Sequence, residues 1–196
     1  MTTSSSPNRR QGPKRSDASH AAILDAAASE LAEKGWRSFS VDNVARRAKA
    51  SKQTIYRWWD SIGALCVECV LRELPSPPVD ARDPEERIAA LIQPFEAASR
   101  VGRGKELLRG ALLAVGDDDP AGEKWRAWIK ENIRDPLRML LLEFSAKKIT
   151  RRDWDIDQAI EFLLGPFWHK LTINHSMIPD GFSSVQARRL LKIWEH

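Results

Sequence analysis

Residues 40–59 read SVDNVARRAKASKQTIYRWW, and their order of small polar, apolar and basic side chains decides how the chain is organised. Ser40 has the short hydroxyl side chain suited to a helix start, where its oxygen accepts an unpaired N–H of the first turn. Val41, Val44, Ala45 and Ala48 then recur at three- and four-residue steps, which predicts one apolar face of a short helix. Ser51 offers a second cap eleven residues later and opens a helix over Lys52 to Trp58. Two short helices joined by about three residues make a helix-turn-helix. Its second helix lays its first residues against base edges in a DNA major groove, while the first crosses the backbone. Lys52, Gln53, Thr54 and Tyr56 supply polar groups there. Gln pairs with adenine, Lys with guanine or phosphate, and the two hydroxyls suit phosphate oxygens. The helix N-terminus itself favours phosphate through its unpaired N–H groups. Ile55 is the residue expected to turn inward against Val44, Ala45 and the preceding helix.

Outward from this stretch the pattern stays helical. Upstream, Ile23, Leu24, Ala27, Ala28 and Leu31 share one face, and Gly35 stops that helix. Residues 1–15 are Ser, Pro, Asn and Arg rich without periodicity and read as a disordered basic arm. Downstream, Asp60 or Ser61 caps a helix carrying Ile62, Leu65, Cys66, Cys69 and Val70. Four prolines fall between Leu74 and Pro84, which no helix tolerates, so a domain boundary is expected there. The expected units are a DNA-reading domain at 16–74 and a second domain at 84–196. In the second, helices are expected at about 85–100, 104–115, 121–147, 155–175 and 183–195. Pro136 either kinks one long helix or starts a new one, and Gly165-Pro166 poses the same question. No segment alternates as strands do. The fold class is all-α, with about nine helices.

The composition of the 196 residues allows one or two domains. The net charge is +4, but residues 1–58 hold eleven basic and five acidic residues, while the remainder is slightly acidic. That asymmetry suits a polyanion partner at one end, or a merely solvated basic surface. No apolar run reaches the ~18 residues of a membrane span, and the N-terminus lacks the apolar stretch of a secretory signal. Two cysteines exclude a disulfide framework, so the expected compartment is a reducing cytosol.

The run Ala21 to Leu65 resembles the DNA-binding domain of TetR-family bacterial transcriptional regulators. The resemblance rests on ILDAAASELAEKGWRSFSVDNVARRA (23–48), on SKQTIYRWW (51–59) and on the Ala-Leu of the next helix. FLLGPFWHKL (162–171) is similar to the penultimate, dimerising helix of one subgroup. Three departures stand out. Lys49-Ala50 replaces the usual Gly-Val of the turn, where a left-handed residue is needed. Trp58-Trp59 stand where Phe is usual. Ile62 replaces the lysine that grips a phosphate, a role left to Lys49, Arg57 or the basic arm. The resemblance implies a homodimeric, ligand-responsive repressor on a palindromic double-stranded operator, in the cytoplasm at the nucleoid. The candidate DNA contacts are Ser40, Lys49, Ser51, Lys52, Gln53, Thr54, Tyr56, Arg57 and Trp58.

The remaining chemistry-bearing residues each have a bland reading. Cys66 and Cys69 form a C-x-x-C on an apolar stripe. They are core thiols, or else a redox pair that would make the chain a thiol sensor or oxidoreductase. No catalytic or metal motif occurs, so no metal, no cofactor and no enzymatic activity are expected. Phe95, Trp125, Trp128, Phe144 and His169 are either core packing or the lining of a pocket for a small effector. Ile160, Leu164, Phe167, Trp168, Leu171, Leu190, Leu191 and Trp194 form a broad apolar stripe on the last two helices. They bury either inside the subunit or in a four-helix interface with a second copy.

Overall fold

The computed structural model describes residues 14–194, and every regular element among them is helical. The elements are α1 (Lys14–Lys34), a 3₁₀ turn (Trp36–Ser38), α2 (Val41–Ala48), α3 (Lys52–Trp58) and α4 (Ile62–Glu73). They continue as α5 (Pro84–Arg100), α6 (Gly104–Asp117), α7 (Asp119–Ile129), α8 (Asp135–Ala146), α9 (Ile156–Thr172) and α10 (Phe182–Ile193). The basic arm expected at 1–15 lies outside the described residues except for its last two, which open α1. That helix thus begins earlier than Asp17, which falls in its first turn, where a carboxylate meets unpaired N–H groups.

Proline positions resolve differently from one another. A π-helical turn, Lys130–Arg134, joins α7 to α8 without a break. Pro136 sits in the first turn of α8, so the wider turn absorbs the bond that the ring cannot donate. Helix α9 continues through Pro166, and α5 through Pro94. Each of these prolines costs ~3 kcal/mol in an isolated helix, which the burial of Phe167 and Phe95 on the same helices offsets.

One continuous core reaches from Ile23 to Trp194. Helix α4 packs against α1, α6 and α7, with Leu65, Cys66, Val67 and Cys69 fully buried. Gly110 allows α6 to close on α1, since a Cβ there would stand 2.6 Å from Leu31 Cδ1.

Side-chain caps join the elements as well as ending them. The Ser61 hydroxyl accepts from Ala64 N–H at 2.9 Å, capping α4, and donates to Asp118 Oδ1 at 2.6 Å. The same carboxylate oxygen accepts from Ala121 N–H at 2.9 Å and so caps α7. Beside it, Trp36 Nε1 donates to Asp117 Oδ2 at 2.8 Å. The α6–α7 junction thus holds both ends of the helix-turn-helix region. Helix α10 has no cap of its own. Buried Glu96 of α5 accepts from Gly181 and Ser183 N–H at 2.8 and 2.7 Å instead.

The apolar stripe on the last helices divides in two. Leu164, Phe167, Leu171, Leu190 and Trp194 are buried within the subunit, and Ile160, Trp168 and Leu191 are half-buried. The five buried residues therefore present nothing to a second copy, because α5, α6 and the α9–α10 packing already cover them. Apolar residues that do face outward include Phe162 on α9, Ile173 and Met177 after it, and Val185 and Ile193 on α10.

Candidate nucleic-acid interface

Local chemistry fixes α3 at its two ends. At the start, Ser51 Oγ accepts from Thr54 N–H at 3.1 Å, and the two hydroxyls lie 2.9 Å apart. At the finish, the buried indole of Trp59 donates to Glu68 Oε2 at 3.0 Å and stacks on His20 at 4.8 Å. Between them only Ile55 is buried. The turn into α3 is carried by Lys49, whose φ of 52° and ψ of 38° lie in the left-handed region. A lysine holds the conformation expected there, at the cost that glycine avoids.

What this leaves outward is a polar face. Lys49, Ser51, Lys52, Gln53, Tyr56 and Arg57 are all exposed. Lys52 is ion-paired to Asp42 of α2, and the hydrogen bond to that carboxylate holds its ammonium above the usual range. Thr54 is half-buried with its hydroxyl engaged by Ser51. Ser40 occupies the N-cap position of α2 without a side-chain capping bond. Trp58 is half-buried, with its ring 5.2 Å from His20 and 5.6 Å from the Arg57 guanidinium. It wedges α3 against α1 while Trp59 anchors α3 to α4.

The residue that ties α2 to α1 lies within the 23–48 run but is not among the candidate site residues. Glu30 of α1 is fully buried and accepts from Asn43 Nδ2 at 2.6 Å, with Arg47 Nε at 3.2 Å. Arg47 also grips Glu33. An acidic residue between Ala27 and Leu31 on the apolar stripe of α1 was the available signal, because a buried carboxylate requires partners.

The five aromatic and histidine residues expected to line an effector pocket do not come together. Phe95 is fully buried and packs against Trp125 at 6.0 Å, Trp128 at 5.5 Å and Trp168 at 5.3 Å, filling the space between α5, α7 and α9. Phe144 lies elsewhere, under the Arg87 guanidinium at 5.4 Å. His169 is exposed, on the side of α9 opposite Leu171.

Cys66 and Cys69 are fully buried, and Cys69 Sγ donates to the Cys66 carbonyl at 3.1 Å. Burial pushes the Cys66 thiol up and the Cys69 thiol to about 12. Both therefore stay protonated at neutral pH, the form that neither attacks disulfides nor binds metal.

Residues 23–69 match the family described as bacterial regulatory proteins, tetR family. Over 178 residues the chain is 30% identical to YdeS of Bacillus subtilis (strain 168), an HTH-type transcriptional regulator by name, and the match spans 88% of each protein. A solved structure of the TetR family transcription regulator SCO0332 aligns with a TM-score of 0.63 at 25% identity, covering 89% of this chain and 97% of that one. Salmonella enterica GusR aligns with a TM-score of 0.65 at 20% identity, covering 95% and 99% respectively.

Proposed function

The chain belongs to the TetR family, whose members are DNA-binding transcriptional regulators rather than enzymes, and from that premise we propose that it is a homodimeric repressor released from a palindromic operator by a small molecule. The observation that carries this reading is α3. It is pinned at both ends and buries one side chain, so its polar face stands in one orientation for a groove. Gln53 reads base edges, and the Thr54 methyl meets a thymine methyl. Lys52 and Tyr56 grip phosphates, Lys52 by exchanging Asp42 for the DNA backbone. Ser40, Lys49 and Arg57 flank the same face. One of these two cations holds the phosphate that Ile62, being apolar, cannot.

Residues 16–74 act as the reading unit and residues 84–196 as the dimerising and effector-binding unit. The second copy docks on the outward face of α9 and α10, through Phe162, Ile173, Val185 and Ile193, in an isologous four-helix contact. An effector that prefers a conformation with mismatched recognition helices draws the dimer off its operator by population shift. A ligand with equal affinity for both conformations would regulate nothing.

Selection of duplexes from a random pool tests this reading directly. The expected product is a two-fold symmetric motif, bound by a species of twice the chain mass. A chain that stays single in solution and enriches no duplex would overturn it.

A further inference from the structure

A cleft of about 550 Å³ opens to solvent between α1, α4 and α7, and reaches the aromatic cluster around Phe95 only through Trp128. Its size falls within the ~300–1,000 Å³ of small-molecule sites. Leu24, Leu71 and the half-buried Trp128 give it an apolar floor, and charged side chains give it walls. Those charges are already matched within the protein, with one exception. Glu68 is held by Lys124, by the Trp59 indole and by His20 at 3.2 Å. Arg72 is held by Asp25 and Glu73. Glu131, on the rim, has no hydrogen bond or ion pair from its side chain to another described residue.

We propose that this cleft binds a hydrophobic organic cation, with its apolar body on Leu24, Leu71 and Trp128 and its charge against Glu131. The proposal rests on the effector-responsive reading above, and supplies the place and the chemical class that reading lacks. An anion would meet the unmatched carboxylate, while Lys124 and Arg72 are already spoken for. A cation gains the rim carboxylate and the Trp128 indole together, and the second attraction strengthens as the apolar floor excludes water. The cleft also touches the reading helix. His20 in its wall stacks on Trp59, the residue that ends α3, and Glu68 accepts the Trp59 indole proton. An occupant that moves either wall residue shifts the anchored end of α3.

The test uses the full chain and two ions of one shape and opposite charge, tetraphenylphosphonium and tetraphenylborate, titrated calorimetrically. The phosphonium is expected to bind once per subunit and the borate not at all. Because Glu131 is exposed, E131Q and E131K should fold normally, as circular dichroism will show. E131Q should weaken the phosphonium by about two- to fivefold, the value of an exposed ion pair at ~0.5–1 kcal/mol, and E131K should weaken it further. Phosphonium should also lower the affinity of the wild-type chain for its selected duplex. Equal binding of both ions, or one phosphonium affinity across all three proteins, would overturn the proposal. So would a chain that binds its duplex but takes up no phosphonium, which leaves the regulator reading standing. A chain that binds neither overturns both.

Discussion

Helices α3 and α9 are held in opposite ways. Helix α3 has seven residues, buries Ile55 alone, and is fixed by the Ser51 cap and the Trp59 anchor. Helix α9 has seventeen residues, buries six of them, and spans its neighbours along its whole face. A helix held by its ends keeps its surface for a partner, and its side chains are replaceable without loss of fold. A helix held by its face contributes stability, and its side chains are not. Stability and DNA affinity should therefore respond to different residues.

The largest effect on stability is expected from Leu163→Ala in α9, where a fully buried side chain is truncated. It should cost about 2–5 kcal/mol, read as a fall in the urea midpoint. Gln53→Ala in α3 should stay within about 0.5 kcal/mol by the same measurement while costing ~1–3 kcal/mol in binding to the selected duplex. If Gln53→Ala unfolded the chain, the distinction between the two helices would fail.

Next comes the joint between the two regions. Asp118→Ala removes the cap of α7 and the acceptor of the Ser61 hydroxyl. A loss of about 1–2 kcal/mol is expected, and its combination with Ser61→Ala should be non-additive because the two side chains share one network. Additive losses would mean that the two caps act separately. Ser51→Ala, which frees only one end of α3, should cost about 1 kcal/mol. It should also weaken duplex binding, because the reading face is then held at the Trp59 end alone.

Lys52→Ala should leave the urea midpoint almost unchanged, because its pair with Asp42 is exposed. Binding measured across a salt series should drop by about one unit of slope, the signature of one phosphate fewer being neutralised. The smallest effect concerns the ion pair that bridges α5 and α8, away from both helices. Hydrogen bonds from Arg87 and Lys147 hold the Glu143 carboxyl down at about 2. Its contribution to stability is present above the unfolded value of ~4.3 and is lost as pH falls toward about 2. Arg87→Gln should therefore flatten the acid limb of a stability–pH curve, and leave the neutral region nearly level.

Much of this was legible in the chain itself. The Ser51 cap, the inward Ile55 and the left-handed residue at position 49 follow from local rules that act within a few residues. The long helices follow from apolar periodicity, and their bounds lie within a few residues of expectation. Illegible were the meetings of residues far apart in the chain. An apolar stripe shows that Leu164, Phe167 and Leu190 must be covered, and the same stripe suits a core or an interface. Phe144 and His169 shared a composition with the Phe95 cluster without sharing a place.

The sequence by itself determined that the chain is helical, that Ser51 and Ser61 cap their helices, and which short helix carries polar groups for DNA. Those properties come from hydrogen bonds and side-chain spacing within one or two turns. Only the tertiary structure decided which apolar faces remain outward, that Ser61 and Asp118 meet, and that a cleft with one unmatched carboxylate opens beside His20. Such juxtapositions arise when distant segments pack, and packing selects among faces that hydrophobicity alone leaves equivalent.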